Sequence, residues 1–407
     1  MPDRTMSEVI LIAITGANAP GQLAAMAGSL ERYEVNILDL SQAIVHETNS
    51  LSLLLEVPCQ EQTTPMLKDL LFEAHTLGLE MTFSTIAREE YHSWVQAQRT
   101  KQTIVTLLGQ SLTARHLAAI SGLVHEHGLE VQGIRRLSAR KPLQENAGVT
   151  CLECVLRGDP HDLPTMRDRA LSLSGELGVD IGLQEETPYR RHRRLIAFDM
   201  DSTLIQAEVI DDLAARAGVG RDVAAVTEAA MRGELDFAQS LKRRVRLLKG
   251  LEVSVLEETA ASLPLTQGAE RLITNLRALG YKIAILSGGF TYFGRVLQNR
   301  LGIDHLFANE LEIESGRLTG RIAGRIIDGQ KKADLLSELA RREGISLEQT
   351  IAVGDGANDL PMLNLAGLGI AFHAKPVVRE GAKQAISNVG LDGVLYFLGL
   401  RDREAMV

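Results

Sequence analysis

Leu195-Ile-Ala-Phe-Asp199-Met-Asp201-Ser-Thr203 is a run of four apolar residues that ends in two carboxylates placed two apart. An apolar run of this length reads as a strand buried on both faces, and polar residues that follow such a strand emerge where a parallel sheet keeps its active site. Asp199 and Asp201 fall at that edge. Carboxylates this close repel one another and tend to hold a proton unless a cation is present, so the pair points to a divalent metal or to acid and base work. A solvated turn after a strand has the same local form, and distant sequence has to separate the readings.

Downstream of Leu195 strands alternate with helices, the signature of a doubly wound, Rossmann-like α/β domain. Residues 207–264 carry no convincing strand and form a helical insert, closed by Pro264 and Gly268 and well placed to cover the site. Ile283-Ala-Ile-Leu-Ser287-Gly288-Gly289-Phe290 ends a second strand with a hydroxyl and two glycines, which lets a side-chain OH and bare backbone N–H groups approach a phosphate oxygen. Lys332 opens an amphipathic helix; Lys331 beside it offers the same amine, and the spacing to Asp355 favours Lys332. Ile351-Ala-Val-Gly-Asp355-Gly-Ala-Asn358-Asp359 ends another strand with two carboxylates that could complete an oxygen-rich Mg²⁺ site with Asp199.

Asp-x-Asp-Ser-Thr, Ser-Gly-Gly, Lys and Gly-Asp-Gly-x-Asn-Asp, in this order and spacing, resemble the haloacid dehalogenase superfamily of phosphohydrolases across residues 195–400. The insert narrows the resemblance to the phosphoserine phosphatase branch: Glu208 follows the first motif carboxylate by nine residues, and Met231, Phe237 and Arg244 recur at that branch's spacing. By themselves Met231 and Phe237 read as core residues, and Arg244, among Lys242, Arg243 and Arg246, as part of a solvated helix face. The resemblance implies that Asp199 is the nucleophile and Asp201 the general acid and base. Ser287, the Gly288 backbone and Lys332 would balance the phosphoryl charge, and Asn358 would hold a phosphate oxygen or the water. It implies Mg²⁺ on the Asp199 side chain, the Asp201 backbone carbonyl and Asp355, with Asp359 behind. Glu208 would meet the substrate ammonium, Arg244 its carboxylate, and Met231 and Phe237 would wall off water. The activity implied is Mg²⁺-dependent hydrolysis of O-phospho-L-serine, the last step of serine biosynthesis. The rivals are a related enzyme on another small phosphorylated metabolite and an amino-acid-sensing binding protein.

Upstream, residues 8–86 and 102–184 align as two copies of one unit. Gly16 meets Gly109, Leu30 meets Leu123, and Leu77-Gly-Leu-Glu-Met81 meets Leu177-Gly-Val-Asp-Ile181. The order per copy is βαββαβ, which resembles the ACT domain, a ferredoxin-like fold that commonly senses amino acids. The first copy has Ile14-Thr-Gly16-Ala-Asn18-Ala-Pro20-Gly21 between strand and helix, either a carboxylate-binding turn or a tight connection without a ligand. In the second copy Gly109 is followed by Ser111 and Thr113, which can simply cap the helix. The resemblance implies an L-serine effector at Gly16, Asn18, Pro20, Gly21 and Gly109. Edge strands of such units can join across a two-fold axis, which predicts a homodimer. Expected domains are residues 1–95, 96–188 and 189–407.

Composition agrees with a folded multidomain chain: 407 residues, 45% hydrophobic and 23% charged, exceed one core. A net charge of −9 argues against a general nucleic-acid binder, no apolar stretch approaches the roughly 18 residues of a membrane span, and three cysteines without a targeting segment predict the cytoplasm. Cys151 and Cys154 lie three apart in a strand and face opposite sides, which makes them unrelated buried thiols rather than a redox pair. Arg190-Arg191-His192-Arg193-Arg194 reads as a solvated interdomain linker.

Overall fold

The computed structural model describes residues 7–405 except 99, 144–147, 159 and 161. The chain divides into two compact units, residues 1–100 and 101–407. In the first unit β1 (Glu8–Ala17), α1 (Gln22–Glu31), β2 (Asn36–Val45), β3 (Thr48–Val57), α2 (Gln60–Thr76) and β4 (Leu79–Ile86) form the expected βαββαβ unit, followed by α3 (Arg88–Ala97). The sheet is antiparallel in the order β2-β3-β1-β4. Period-two burial decides its faces: Ile10, Ile12 and Ile14 alternate inward with Leu51, Leu53 and Leu55 against Met26, Leu30, Met66 and Leu70 of the helices.

The second unit opens with the other copy: β5 (Gln102–Gly109), α4 (Ala114–Glu126), β6 (Glu130–Arg136), β7 (Thr150–Arg157), α5 (Leu163–Leu177) and β8 (Asp180–Glu185), in sheet order β6-β7-β5-β8. The repeat found by sequence has a packing cause. A Cβ on Gly16 would lie 2.6 Å from Leu79, and one on Gly109 2.9 Å from Val179, so the aligned glycines face aligned residues that start the last strand of each copy. Leu30 and Leu123 are likewise buried at equivalent helix positions.

The rest of the second unit is β9 (Leu195–Phe198), α6 (Val209–Arg216), α7 (Gly220–Met231), α8 (Phe237–Leu247), α9 (Val253–Ala261), α10 (Ala269–Ala278), β10 (Lys282–Phe290), α11 (Thr291–Leu301), β11 (His305–Glu314), β12 (Arg317–Ala323), α12 (Gly329–Arg342), β13 (Thr350–Gly354), α13 (Leu360–Leu365), β14 (Leu368–Phe372), α14 (Pro376–Gly381), β15 (Gln384–Ile386) and α15 (Val394–Phe397). The seven-stranded sheet runs β12-β11-β10-β9-β13-β14-β15, parallel except for β12. β9 is central and its residues alternate between two cores: Ile196 and Phe198 face one, Leu195 and Ala197 the other. Strand order reverses there, which opens a crevice at the carboxyl end of β9. The insert between Glu208 and Ser262 is four helices, α6 to α9.

One expectation changes in part. Arg191, His192 and Arg194 are exposed, but Arg190 is fully buried and Arg193 is 5% exposed, so the basic run is not solvated throughout. The free face of the β6-β7-β5-β8 sheet packs on the α/β domain, and Leu108, Leu137 and Cys151 join the same apolar cluster as Phe198 and Phe397. Cys154 belongs to the cluster on the other face, as the i, i+3 spacing requires. Glu153, also fully buried, meets the Arg190 guanidinium at 2.5 Å and that of Arg135. Glu186 pairs with Arg190 locally at 3.3 Å, but the local pattern could not show the burial, because Glu153 comes from a strand about 37 residues earlier. Among the described residues no helix is long and apolar enough to cross a membrane.

Candidate active site

The register pairs Phe198 with Ile285 of β10 and with Val353 of β13, so the chain segments just past all three strands surround one point. Asp199 leaves β9 there and its carboxylate is held at both oxygens: Oδ1 accepts the Met200 N–H at 2.7 Å and Oδ2 faces Lys332 Nζ at 2.8 Å. Lys332 lies in the first turn of α12, a helix end that disfavours cations, and is fully buried. Its charge persists because Asp359 Oδ1 takes a second contact at 2.7 Å. Burial would pull the Lys332 amine down, but Asp199 and Asp359 outweigh it and the ammonium is held above its ordinary range. Lys331 only contributes a backbone N–H to the helix cap at Asp328, so the amine in the site is that of Lys332.

Beyond Asp199 the chain turns sharply, with Ser202 at φ 55°, and brings Asp201 back beside it. Asp201 Oδ1 accepts the Val209 N–H at 3.1 Å. Enclosure by protein, then Glu208 and Asp199, push its carboxyl well above the usual carboxylate range. Gly289 must lack a side chain, since a Cβ would lie 2.4 Å from Asp201 Oδ2. Asp355 is also raised, to about 7, by burial and then by Asp199, Asp359 and Glu208. Thr203 Oγ1 donates to it at 3.2 Å. Asp359 is raised to about 7 chiefly by burial, and its Oδ2 accepts the Gly356 N–H at 3.0 Å.

Side-chain oxygens of Asp199, Asp355 and Asp359 lie within 4.8 Å of one another. An all-oxygen set in which Asp355 and Asp359 are raised by burial and by neighbouring carboxylates fits a hard divalent cation. Among the described residues Asp201 enters no such side-chain set; its share in a metal site would be the backbone carbonyl. Asp359 is already committed to Lys332 and Gly356, which favours Asp355 as the freer ligand.

A cleft of about 550 Å³ opens over these groups. Asp199, Asp201, Ser287, Gly288, Asp355 and Asn358 line it from the α/β domain, and Glu208, Met231, Phe237 and Arg244 from the helical insert. Glu208 borders the open cleft, yet burial and Asp199 raise its carboxyl, and Ser202 Oγ donates to it at 2.8 Å. Among the described residues the buried Nε of Arg244 has no hydrogen-bond partner, and burial lowers its guanidinium despite Asp211, Glu208 and Asp201 nearby. It is thus no solvated helix face. Met231 is 67% exposed at the cleft mouth, which excludes the core reading for it. Phe237 lies against Gly288, where a Cβ would come within 2.7 Å of the ring. Sequence reasoning missed Lys375, Asp211 and Thr227, which also line the cleft. Lys375 follows a strand end, a signal that could have found it.

The sites expected in the ferredoxin-like copies look different. Gly21 sits at φ 85° before α1, and the N–H groups of Asn18 and Ala19 already bond Glu47 O and Gln22 Oε1, at 2.6 and 3.2 Å. Pro20 has no N–H to offer. Gly16 and Gly109 are explained by packing on Leu79 and Val179. Thr113 caps α4, with its N–H donated to the His116 ring at 2.9 Å.

The doubly wound sheet, the central strand ending in Asp199 and the helical insert define a haloacid dehalogenase-like hydrolase, and the sequence profile of that family matches residues 193–367. The ACT domain profile matches residues 8–84. A phosphoserine phosphatase of Streptomyces coelicolor is 42% identical over 97% of this chain and 93% of its own. One from Mycobacterium tuberculosis is 39% identical over 96% and 93%. The solved structure of a probable phosphoserine phosphatase from Vibrio cholerae, in unliganded form, superposes with a TM-score of 0.58 at 36% identity, covering 74% of this chain and 87% of that one. The chain belongs to the phosphoserine phosphatase family of haloacid dehalogenase-like hydrolases, with an ACT domain at its amino terminus.

Proposed function

We propose that the enzyme hydrolyses O-phospho-L-serine to L-serine and phosphate through an aspartyl-phosphate, as the last step of serine biosynthesis. The observation that carries this reading is that one cleft brings Glu208 and Arg244 of the insert over Asp199. A carboxylate and a guanidinium suit the ammonium and carboxylate of an amino acid whose phosphate lies below.

An Asp199 oxygen attacks phosphorus, the bond from phosphorus to the serine oxygen breaks, and Asp201 gives its proton to that oxygen. The raised Asp201 carboxyl supports the proton-carrying role. Asp201, now ionised, takes a proton from water; the water oxygen bonds to phosphorus, the bond to Asp199 breaks, and phosphate leaves. Ser287, the Gly288 N–H, Lys332 and Asn358 hold the phosphoryl oxygens throughout, where stabilisation is mostly electrostatic and positional. Asp199, Asp355 and the Asp201 backbone carbonyl would hold Mg²⁺, which when bound supplies charge compensation for the phosphate dianion.

For the ferredoxin-like domains, residues 1–95 and 96–188, we propose amino-acid sensing with L-serine as the effector and homodimerisation, ahead of a phosphatase domain at 189–407 in a cytoplasmic enzyme. The Gly16–Gly21 turn and Gly109 are the places to test. Phosphate release from phosphoserine, with and without Mg²⁺ and with added L-serine, tests chemistry and regulation together. Rates on phosphothreonine or glycerol phosphate equal to that on phosphoserine would overturn the substrate assignment.

A further inference from the structure

The parallel pairing of β10 with β11 stops at Leu286 and resumes only at Phe290, opposite Asn309. The interruption is the irregular Ser287-Gly288-Gly289 segment of β10, which faces the cleft. A segment that leaves the ladder needs other partners for its peptide groups. Asn309, 1% exposed, fills this role: its Nδ2 donates to Gly288 O at 2.7 Å, and its Oδ1 accepts the Ile327 N–H at 2.8 Å.

The Gly288 carbonyl belongs to the peptide plane that also carries the Gly289 N–H, and that N–H donates to Ser287 Oγ at 2.9 Å. A planar peptide held at its oxygen has its N–H direction fixed as well. Ser287 Oγ spends acceptor capacity on Gly289, and its own proton is directed elsewhere. At its other end Asn309 holds Ile327, the residue before Asp328, which caps the helix carrying Lys332.

We infer that Asn309 is a positioning residue for phosphoryl transfer: one buried amide sets the Gly288–Gly289 peptide, and through it the Ser287 hydroxyl, while tying that segment to the start of the Lys332 helix. It touches no substrate. Its effect is on orientation, where small misplacements are costly. The inference rests on the phosphatase reading above.

Asn309→Asp and Asn309→Leu test it. A protonated Asp reproduces both bonds, donating to Gly288 and accepting from Ile327; an ionised Asp turns an acceptor towards the Gly288 carbonyl. Burial favours the protonated form, so the switch falls above the ordinary Asp range. Of the charged groups beside Asn309 and Ile327, Glu310 follows the first and faces Arg295 at 3.9 Å, and Asp328 follows the second and accepts the Lys331 N–H. We expect kcat/KM for phosphoserine, divided by wild type at the same pH, to be down about 10- to 100-fold for Asn309→Asp at pH 8 and to recover severalfold towards pH 5.5. The ratio for Asn309→Leu stays low and flat. In a double-mutant cycle with Ser287→Ala the losses combine to about tenfold less than their product. Asn309→Ser replaces either variant that does not fold. Flat and equal ratios for Asp and Leu, multiplicative losses, or wild-type kcat/KM in either variant would overturn the inference. Failure of the wild type to release phosphate would instead overturn the phosphatase reading.

Discussion

Arg244 shows how much a single side chain depends on its surroundings. In sequence it is one of several cations on a helix; in the structure it faces into the cleft with a buried Nε that has no partner among the described residues and three carboxylates near by. Arg244→Ala should lower kcat/KM for phosphoserine by about 1.5–3 kcal/mol, roughly 10- to 150-fold. Phosphoethanolamine lacks the carboxylate, so its slower turnover should be nearly unaffected; equal losses on both substrates would remove Arg244 from carboxylate recognition. Asp199→Asn should cost roughly 10⁴-fold or more in kcat while far-UV circular dichroism and the thermal midpoint stay near wild type. Near-full activity in that variant would exclude the covalent route.

At the scale of elements, α8 connects local sequence to substrate recognition. Asp236 caps it by accepting the Gln239 N–H at 2.7 Å, and the same helix presents Phe237, Ser240, Leu241 and Arg244 to the cleft. Asp236→Ala removes a cap worth about 1 kcal/mol. Because the cap sits one residue from Phe237, the loss should appear as a KM roughly fivefold higher, with a small change in melting temperature. A lower midpoint with unchanged KM would confine the cap to stability. The elements themselves were legible: internal alignment marked the two ferredoxin-like copies, and strands ending in polar residues marked β9, β10 and β13. Asn309 was not, because a lone Asn in a strand gains meaning only from the broken ladder beside it.

At the scale of the second unit, the ferredoxin-like sheet and the α/β domain share one interior. Gln384 of β15 bonds the Leu183 backbone with both ends of its amide, accepting the N–H at 2.9 Å. Asp180 accepts from Ser387 and Asn388, and a Cβ on Gly182 would strike the Phe397 ring at 2.0 Å. Arg190→Met removes one partner of the buried Glu153 and leaves Arg135, which should destabilise this unit by about 3 kcal/mol; differential scanning calorimetry of the whole chain reads it. Burial raises the Glu153 carboxyl, but Arg190 and Arg135 overcome this and hold it below its ordinary 4.5. A carboxyl lowered on folding stabilises above its unfolded value and loses that contribution as pH falls through the folded one. The midpoint difference between wild type and Glu153→Gln should therefore be constant above about pH 5 and shrink below pH 4.5. A difference that grows on acidification would contradict the assigned charge pair.

The architecture, the repeat and the residue types at the strand ends are all readable from the chain alone, because period, turn chemistry and motif spacing are local properties. Only the packed chain shows that Arg190 is buried rather than solvated, that Met231 lies exposed at a cleft mouth, that the Lys332 amine bridges Asp199 and Asp359, and that Asn309 holds the Ser287 segment. Each depends on a partner brought from another strand or helix, and burial and pairing across such distances leave no periodic trace in the chain.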